Sequence, residues 1–247
     1  MQALMGRVTH VRTFLLIHGA WHGGWCWKPL AQLLEAAGYA SEIIELPGDQ
    51  PGRFIGDDAA IAFEAINRIE GDVIVVGHSL AGLVAPFVAS HARACGLVML
   101  AALLPEFDVS AAEQRERNPE IYTQAYREAE LIRHEDGSTE VPPQVGIDLM
   151  FNTCTPDMAE LAASRLRRQY WETFGEPSPV WSWPDVPTLI VGCTADRLTS
   201  CEPMRAAAER IQGAEYLELD CDHTPMLSAP ESLADLLITF ADRGDLL

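Results

Sequence analysis

Three side chains far apart in the chain carry the chemistry this sequence can do: Ser79, Asp196 and His223. A serine hydroxyl is a poor nucleophile until a base takes its proton, and an imidazole oriented by a carboxylate is such a base. Ser79 stands in Gly77-His78-Ser79-Leu80-Ala81, directly after the β-branched run Val73-Ile74-Val75-Val76. A serine wedged between a buried strand and a helix is forced into a strained backbone conformation that lifts its hydroxyl out of the sheet, provided the residues two positions away are small. Gly77 and Ala81 meet that condition. Asp196 follows the apolar run TLIVG at 188–192, and His223 follows YLEL at 216–219. Singly, each is also an ordinary turn, cap or loop residue. Together, at strand ends and in the order serine, acid, histidine, they predict acyl transfer through a covalent serine intermediate.

Other titratable residues compete for these roles. Glu106 lies after the preceding strand and is the reserve candidate for the acid, whereas Asp222 should point away from His223 if the loop is extended. His78 is locked beside Ser79 with its ring expected to face the opposite way. His18 and His22 flank a glycine-rich loop at 18–25, HGAWHGGW, and His10, His91 and His134 read as surface residues. No cluster of His, Cys and Asp has ligand spacing, so no metal site is expected.

Strands must present these residues from one edge. The run at 11–17 is buried-strand-like, and the glycine-rich loop after it places several backbone N–H groups at the carboxyl end of a sheet, where open α/β folds put their ligands. That loop lacks both the Walker ending and a G-x-G-x-x-G fingerprint. Helical spacing at 27–39 and 57–69 alternates with strands at 42–46, 73–77 and 97–103. A helix at 80–94 is expected to kink at Pro86. The alternation resumes with strands at 187–192 and 215–219 and helices at 202–211 and 230–243, the signature of a parallel sheet covered on both faces. Between 106 and 184 it breaks: helical segments at 111–117, 122–133 and 156–168 and a loop at 135–143 predict an inserted helical cap. Residues 1–105 and 185–247 would then form the core. The insertion's aromatic weight exceeds what a surface appendage needs, and Trp21, His22, Phe151, Met158 and Trp183 are expected to contact substrate.

Composition narrows the partners. The formal charge of −19 and a pI near 4.6 make nucleic acid and anionic membranes poor partners for a chain of 247 residues. Lys28 is the only lysine and belongs to an amphipathic stretch, which leaves little room for Schiff-base chemistry. Six scattered cysteines with no C-x-x-C pair read as small buried hydrophobes in a reducing cytoplasm. The first residues lack a charged leader followed by an apolar stretch, and no apolar run approaches the ~20 residues of a membrane span. A soluble cytoplasmic protein is expected.

The segments HGAWHGGWCW, VVGHSLAGLV, LAALLPE, FNTCTPDMAELAASRLR, TADR and DHTPMLSAPESLADLL together resemble the α/β-hydrolase superfamily. The closer resemblance is to the branch of plant methylesterases of the salicylate-methylester type, plant hydroxynitrile lyases and bacterial esterases. It covers almost the whole chain and is weakest at 106–146. It implies the α/β-hydrolase fold, a mostly parallel six-stranded sheet with helices on both faces and an inserted helical cap. It also implies that Ser79 is nucleophile, His223 base and Asp196 orienting acid, with the backbone N–H groups of Ala20 and Leu80 as oxyanion hole. The substrate would be a small ester, no cofactor would be needed, and a homodimer is an admissible assembly. Hydroxynitrile lyases of this branch carry threonine where Gly19 stands and lysine where Thr224 stands, so a carboxylesterase or methylesterase is expected before a lyase. A receptor-like hydrolase with slow turnover is a further reading.

Overall fold

The computed structural model describes residues 12–243. The first half runs β1 (Thr13–Ile17), α1 (Lys28–Ala36), β2 (Ala40–Ile44), α2 (Ile55–Arg68), β3 (Val73–His78), α3 (Ala85–Val88) and β4 (Ala94–Leu100). The insertion holds α4 (Ala111–Arg117), α5 (Gln124–Glu128), β5 (Ile132–Arg133), β6 (Thr139–Glu140), α6 (Pro143–Met150) and α7 (Pro156–Ala163). The chain then returns through β7 (Thr188–Cys193), α8 (Cys201–Ala208), β8 (Ala214–Leu219), α9 (Pro225–Ser228) and α10 (Pro230–Ala241). The six long strands form one sheet in the order β2-β1-β3-β4-β7-β8, parallel at every pairing.

Alternate side chains of each strand leave opposite faces of the sheet, and both faces are apolar. Phe14, Leu16, Val76, Val98 and Val191 meet Leu30 and Leu34 of α1 and Leu233, Leu237 and Phe240 of α10. Leu15, Ile17, Val75, Leu97 and Ile190 meet Ala62 and Ile66 of α2, Ala85 and Val88 of α3, and Met204 of α8. Strand β1 has β2 on one side and β3 on the other. The loops after β1 and β3 therefore diverge and open a crevice at the carboxyl edge, the place where such sheets bind ligands.

Three expectations are corrected. The helix expected at 80–94 is a 3₁₀ turn, Ser79–Leu83, followed by α3 alone, and Pro86 stands in the first turn of α3, where a missing N–H costs nothing. The helix expected at 122–133 shrinks to α5, because the chain turns at Asp136-Gly137 to pair β5 with β6; Gly137 has φ +83° and the Ser138 N–H donates to Asp136. The helix expected at 156–168 stops at Ala163, and the following residues cross to the β1 loop, where the Arg167 N–H donates to Trp21 O. Helix α6, with proline at its start, was not expected. Among the described residues no helix is long and apolar enough to cross a membrane.

Asp58, in the first turn of α2, is buried, and its Oδ1 has no hydrogen-bond partner. Desolvation, reinforced by Asp57 and opposed by Arg53, pushes its pKa up to about 7. The unfolded carboxylate titrates near 3.9, so between roughly pH 4 and pH 7 the folded state holds more protons and stability falls as pH rises. Asp58→Asn is expected to raise stability at pH 8 by about 3 kcal/mol. The gain should shrink towards zero at pH 4; equal gains in urea unfolding at both pH values would overturn this account.

Candidate active site

Ser79 opens the 3₁₀ turn at the end of β3 with φ +54°, a left-handed conformation that costs a non-glycine residue on the order of 1–3 kcal/mol. Its neighbours leave no room for relaxation. A Cβ on Gly77 would fall 2.5 Å from Ala85 Cβ, and one on Gly82 would fall 2.2 Å from the carbonyl oxygen of Leu103. The turn is thus clamped between α3 and the loop after β4, and the Leu103 N–H donates to Ser79 O at 3.0 Å.

The strand-end residues β7 and β8 deliver meet this serine. His223 Nε2 is 3.0 Å from Ser79 Oγ, and His223 Nδ1 is 2.7 Å from Asp196 Oδ2. With Nδ1–H donated to the carboxylate, the Nε2 lone pair is left to face the hydroxyl. Asp196 is itself fixed: Oδ1 accepts the N–H groups of Leu198 and Thr199, and Oδ2 also accepts the Thr199 hydroxyl at 2.6 Å. Both partners of the His–Asp pair are buried. Such a chain can move the serine proton to the imidazole while holding the ring against rotation.

Three further histidines surround this chain, all buried. His78 does not face away: its Nε2–H donates to the His223 carbonyl at 2.8 Å, and the two rings lie 4.9 Å apart. Alternation along β3 put that ring on the opposite side, but the tight turn after it brings the His223 loop over the strand end. Burial first, then neighbouring His223, holds the His78 pKa well below the ordinary imidazole value. His18 accepts the Leu46 N–H at Nε2, so its Nδ1–H donates to the carbonyl of Gly19 at 2.9 Å. His22 donates Nδ1–H to Ala20 O at 2.8 Å. Burial lowers their pKa values to about 4 and about 3, so both are neutral at pH 7.

Gly19 touches the serine: a Cβ there would lie 2.6 Å from Ser79 Cβ and 3.1 Å from Oγ. Ala20 follows it, and Leu80 follows Ser79 in the first turn of the 3₁₀ helix, where a backbone N–H has no intrahelical acceptor. Trp21 has φ +59°, its ring 5.2 Å from that of Trp171. Phe151 is buried with its ring 5.8 Å from that of His22, and Met158 is half-buried against the same core. The structure does not bring Trp183 to this group. It belongs to the opposite face of the sheet with Ile190 and Met204, and lines a separate cavity of about 500 Å³ that also contains the exposed Glu106. Trp181 is 82 % exposed. Asp222 points away from the His223 ring and accepts the N–H groups of Thr153 and Thr224 and the Ser228 hydroxyl, which ties the insertion to the His223 loop. The Thr224 hydroxyl is buried and donates to Met150 O. His91 and His134 bond Asn67 and Glu140 outside the site, and His10 lies outside the described residues.

Sequence reasoning passed over Thr199, Arg167, Gln169 and Thr139. For Thr199 a signal existed, since a hydroxyl three residues after a loop aspartate commonly closes a local turn on its carboxylate.

Residues 14–236 match the alpha/beta hydrolase family. Among curated proteins, Methylesterase 7 of Arabidopsis thaliana is 25% identical over 252 residues, covering 94% of this chain and 97% of that one. A pyrethroid hydrolase of Sphingobium wenxiniae is 27% identical, covering 94% and 88%. Among solved structures, polyneuridine aldehyde esterase superposes with a TM-score of 0.79 at 22% identity, covering 94% of this chain and 99% of that one.

Proposed function

This chain belongs to the alpha/beta hydrolase family, and on that premise we propose that it is a serine hydrolase of small carboxylic esters. The observation that carries the reading is the unbroken chain from Ser79 Oγ through His223 to Asp196, at 3.0 and 2.7 Å. Esterase relatives aligned over nearly the full length support the same chemistry.

Ser79 Oγ attacks the ester carbonyl carbon as its proton passes to His223 Nε2. The oxyanion accepts hydrogen bonds from the N–H groups of Ala20 and Leu80, the two backbone donors that flank the Gly19–Ser79 contact. Collapse of the tetrahedral intermediate breaks the bond to the alkoxide, which leaves as alcohol with the proton from His223. A water then gives its proton to His223, attacks the acyl carbon, and releases the acid and free Ser79. Residues 106–184 act as a cap over this site, and Trp21, His22, Phe151 and Met158 are the side chains that meet the substrate. The chemistry requires neither metal nor cofactor, and six free thiols suit a reducing cytoplasm.

The rival lyase reading needs a cation near His223 to hold departing cyanide. Thr224 offers a hydroxyl already committed to Met150 O, and Gly19 has no room for threonine without displacing Ser79. Turnover of p-nitrophenyl acetate is therefore expected to exceed cyanide release from mandelonitrile by at least a hundredfold, as an order-of-magnitude expectation for losing a charged partner. Faster cyanide release than ester hydrolysis would replace the esterase reading with the lyase.

A further inference from the structure

The loop that would carry the oxyanion donor is held from two sides, by histidines of the core and by the insertion. Trp21 holds a left-handed backbone angle, φ +59°, that a bulky side chain adopts only where its surroundings over-determine it. Its three polar groups all end on the insertion: the main-chain N–H donates to Gln169 Oε1 at 3.3 Å, the carbonyl accepts the Arg167 N–H at 2.8 Å, and the indole N–H donates to Thr139 Oγ1 at 3.1 Å. Thr139 is in turn locked to Gln169 by paired backbone hydrogen bonds of 2.9 Å. The Arg167 guanidinium grips the next residue, with Nε 3.0 Å from the His22 carbonyl, and reaches Leu46 O at 3.2 Å and Glu45 at 2.8 Å. Gln169 is itself buried, and it presses on Gly48 so closely that a Cβ there would lie 2.5 Å from its Oε1.

From this geometry we infer that Gln169 and Arg167 are positioning residues for the oxyanion donor, Gln169 acting through Trp21 and the Arg167 guanidinium through the His22 carbonyl, which together aim the Ala20 N–H. The inference rests on the esterase reading proposed above. The Ala20 N–H belongs to the same rigid peptide unit as the Gly19 carbonyl, which His18 holds from the core side. One end of that unit is thus fixed by His18. The other end is held by the His22 Nδ1–H on the Ala20 carbonyl and by Trp21, whose strained angle is kept by residues 167 and 169. A donor a few tenths of an ångström off target stabilises the oxyanion poorly while leaving the neutral ester's binding almost untouched.

The test is a comparison of wild type, Gln169→Met and Arg167→Lys. The first change removes the acceptor at similar volume, and the second keeps the charge facing Glu45 while losing the two-pronged grip on His22 O. For p-nitrophenyl acetate, kcat is expected to fall about tenfold to a hundredfold in Gln169→Met with KM within a factor of about two, because a misplaced oxyanion donor costs transition-state stabilisation alone. Inhibition by a small boronic acid, whose serine adduct places an oxygen in the hole, should weaken by the same factor. Should Gln169→Met not fold, Arg167→Lys carries the same comparison. A loss expressed in KM with boronate affinity unchanged would make these residues pocket wall and overturn the inference, as would unchanged kcat in both variants. If the wild type itself neither turns over esters nor binds the boronate, the esterase reading fails first and is seen to fail separately.

Discussion

Ser79→Ala is expected to lower ester turnover by a factor of about 10⁴ to 10⁶, because in the proposed mechanism serine, base and acid act as one unit and removing the nucleophile removes the covalent route. The residual rate would come from the oxyanion donors and substrate binding alone. The fold should survive. The substitution deletes one oxygen from a buried side chain and leaves the Ser79 carbonyl bond to the Leu103 N–H intact. Alanine is no less tolerant than serine of φ +54°, and the only partner left bare is His223 Nε2. An unsatisfied buried acceptor costs about 1–3 kcal/mol, against which the relieved burial of a hydroxyl acts in the opposite direction. Circular dichroism and melting should therefore stay close to wild type while p-nitrophenyl acetate turnover collapses. Turnover within tenfold of wild type would place the nucleophile elsewhere and undo the proposed mechanism.

The strands that carry these residues were legible because a parallel sheet buries both faces, so each strand is a short continuous apolar run ended by a turn. The runs at β3 and β7 stand out in this way, and the strand–turn–helix pattern at Ser79 needs only small residues at 77 and 81. What followed Ser79 was not legible. Residues 80–94 are almost uniformly apolar, and uniform apolarity does not distinguish a 3₁₀ turn and a one-turn helix from a long buried helix. The choice is made by Gly82 meeting Leu103 O, a contact between segments twenty-one residues apart.

The insertion was harder because its residues answer to the core rather than to their own periodicity. The Asp136-Gly137 pair was a local hairpin signal, and reading 122–133 as one helix overlooked it. Trp183 illustrates a different limit. Aromatic character says that a side chain is buried against something, and only the return path into β7 decides which face of the sheet that is. His78 shows the same limit at closer range: strand alternation fixed its side at the backbone, but the approach of the His223 carbonyl depends on a loop 145 residues later. The grip of Arg167 and Gln169 on the β1 loop has no sequence signature at all, since it joins positions nearly 150 residues apart through main-chain atoms.

Asp196→Asn is expected to cost about 10⁴ in kcat, nearly as much as losing the serine. An asparagine can keep the bonds that Asp196 Oδ1 accepts from the Leu198 and Thr199 N–H groups, so the loop should keep its shape. Its amide NH₂ would then replace Oδ2, the atom 2.7 Å from His223 Nδ1. A donor in that place demands a bare Nδ1 and drives the ring proton to Nε2, where it meets Ser79 Oγ. The imidazole then has no lone pair for the serine proton, and the imidazolium of the transition state loses its carboxylate. Two other acids serve as controls. Glu106 is exposed beside the Trp183 cavity, and Glu106→Gln should leave kcat within about a factor of two, as for a surface change away from the reacting atoms. Asp222 is fully buried and accepts from Thr153, Thr224 and Ser228, so Asp222→Asn should first appear as a lower melting temperature. Steady-state kinetics and thermal unfolding on the three variants separate these roles: a nearly normal Asp196→Asn alongside a dead Glu106→Gln would transfer the orienting acid from the end of β7 to the loop after β4.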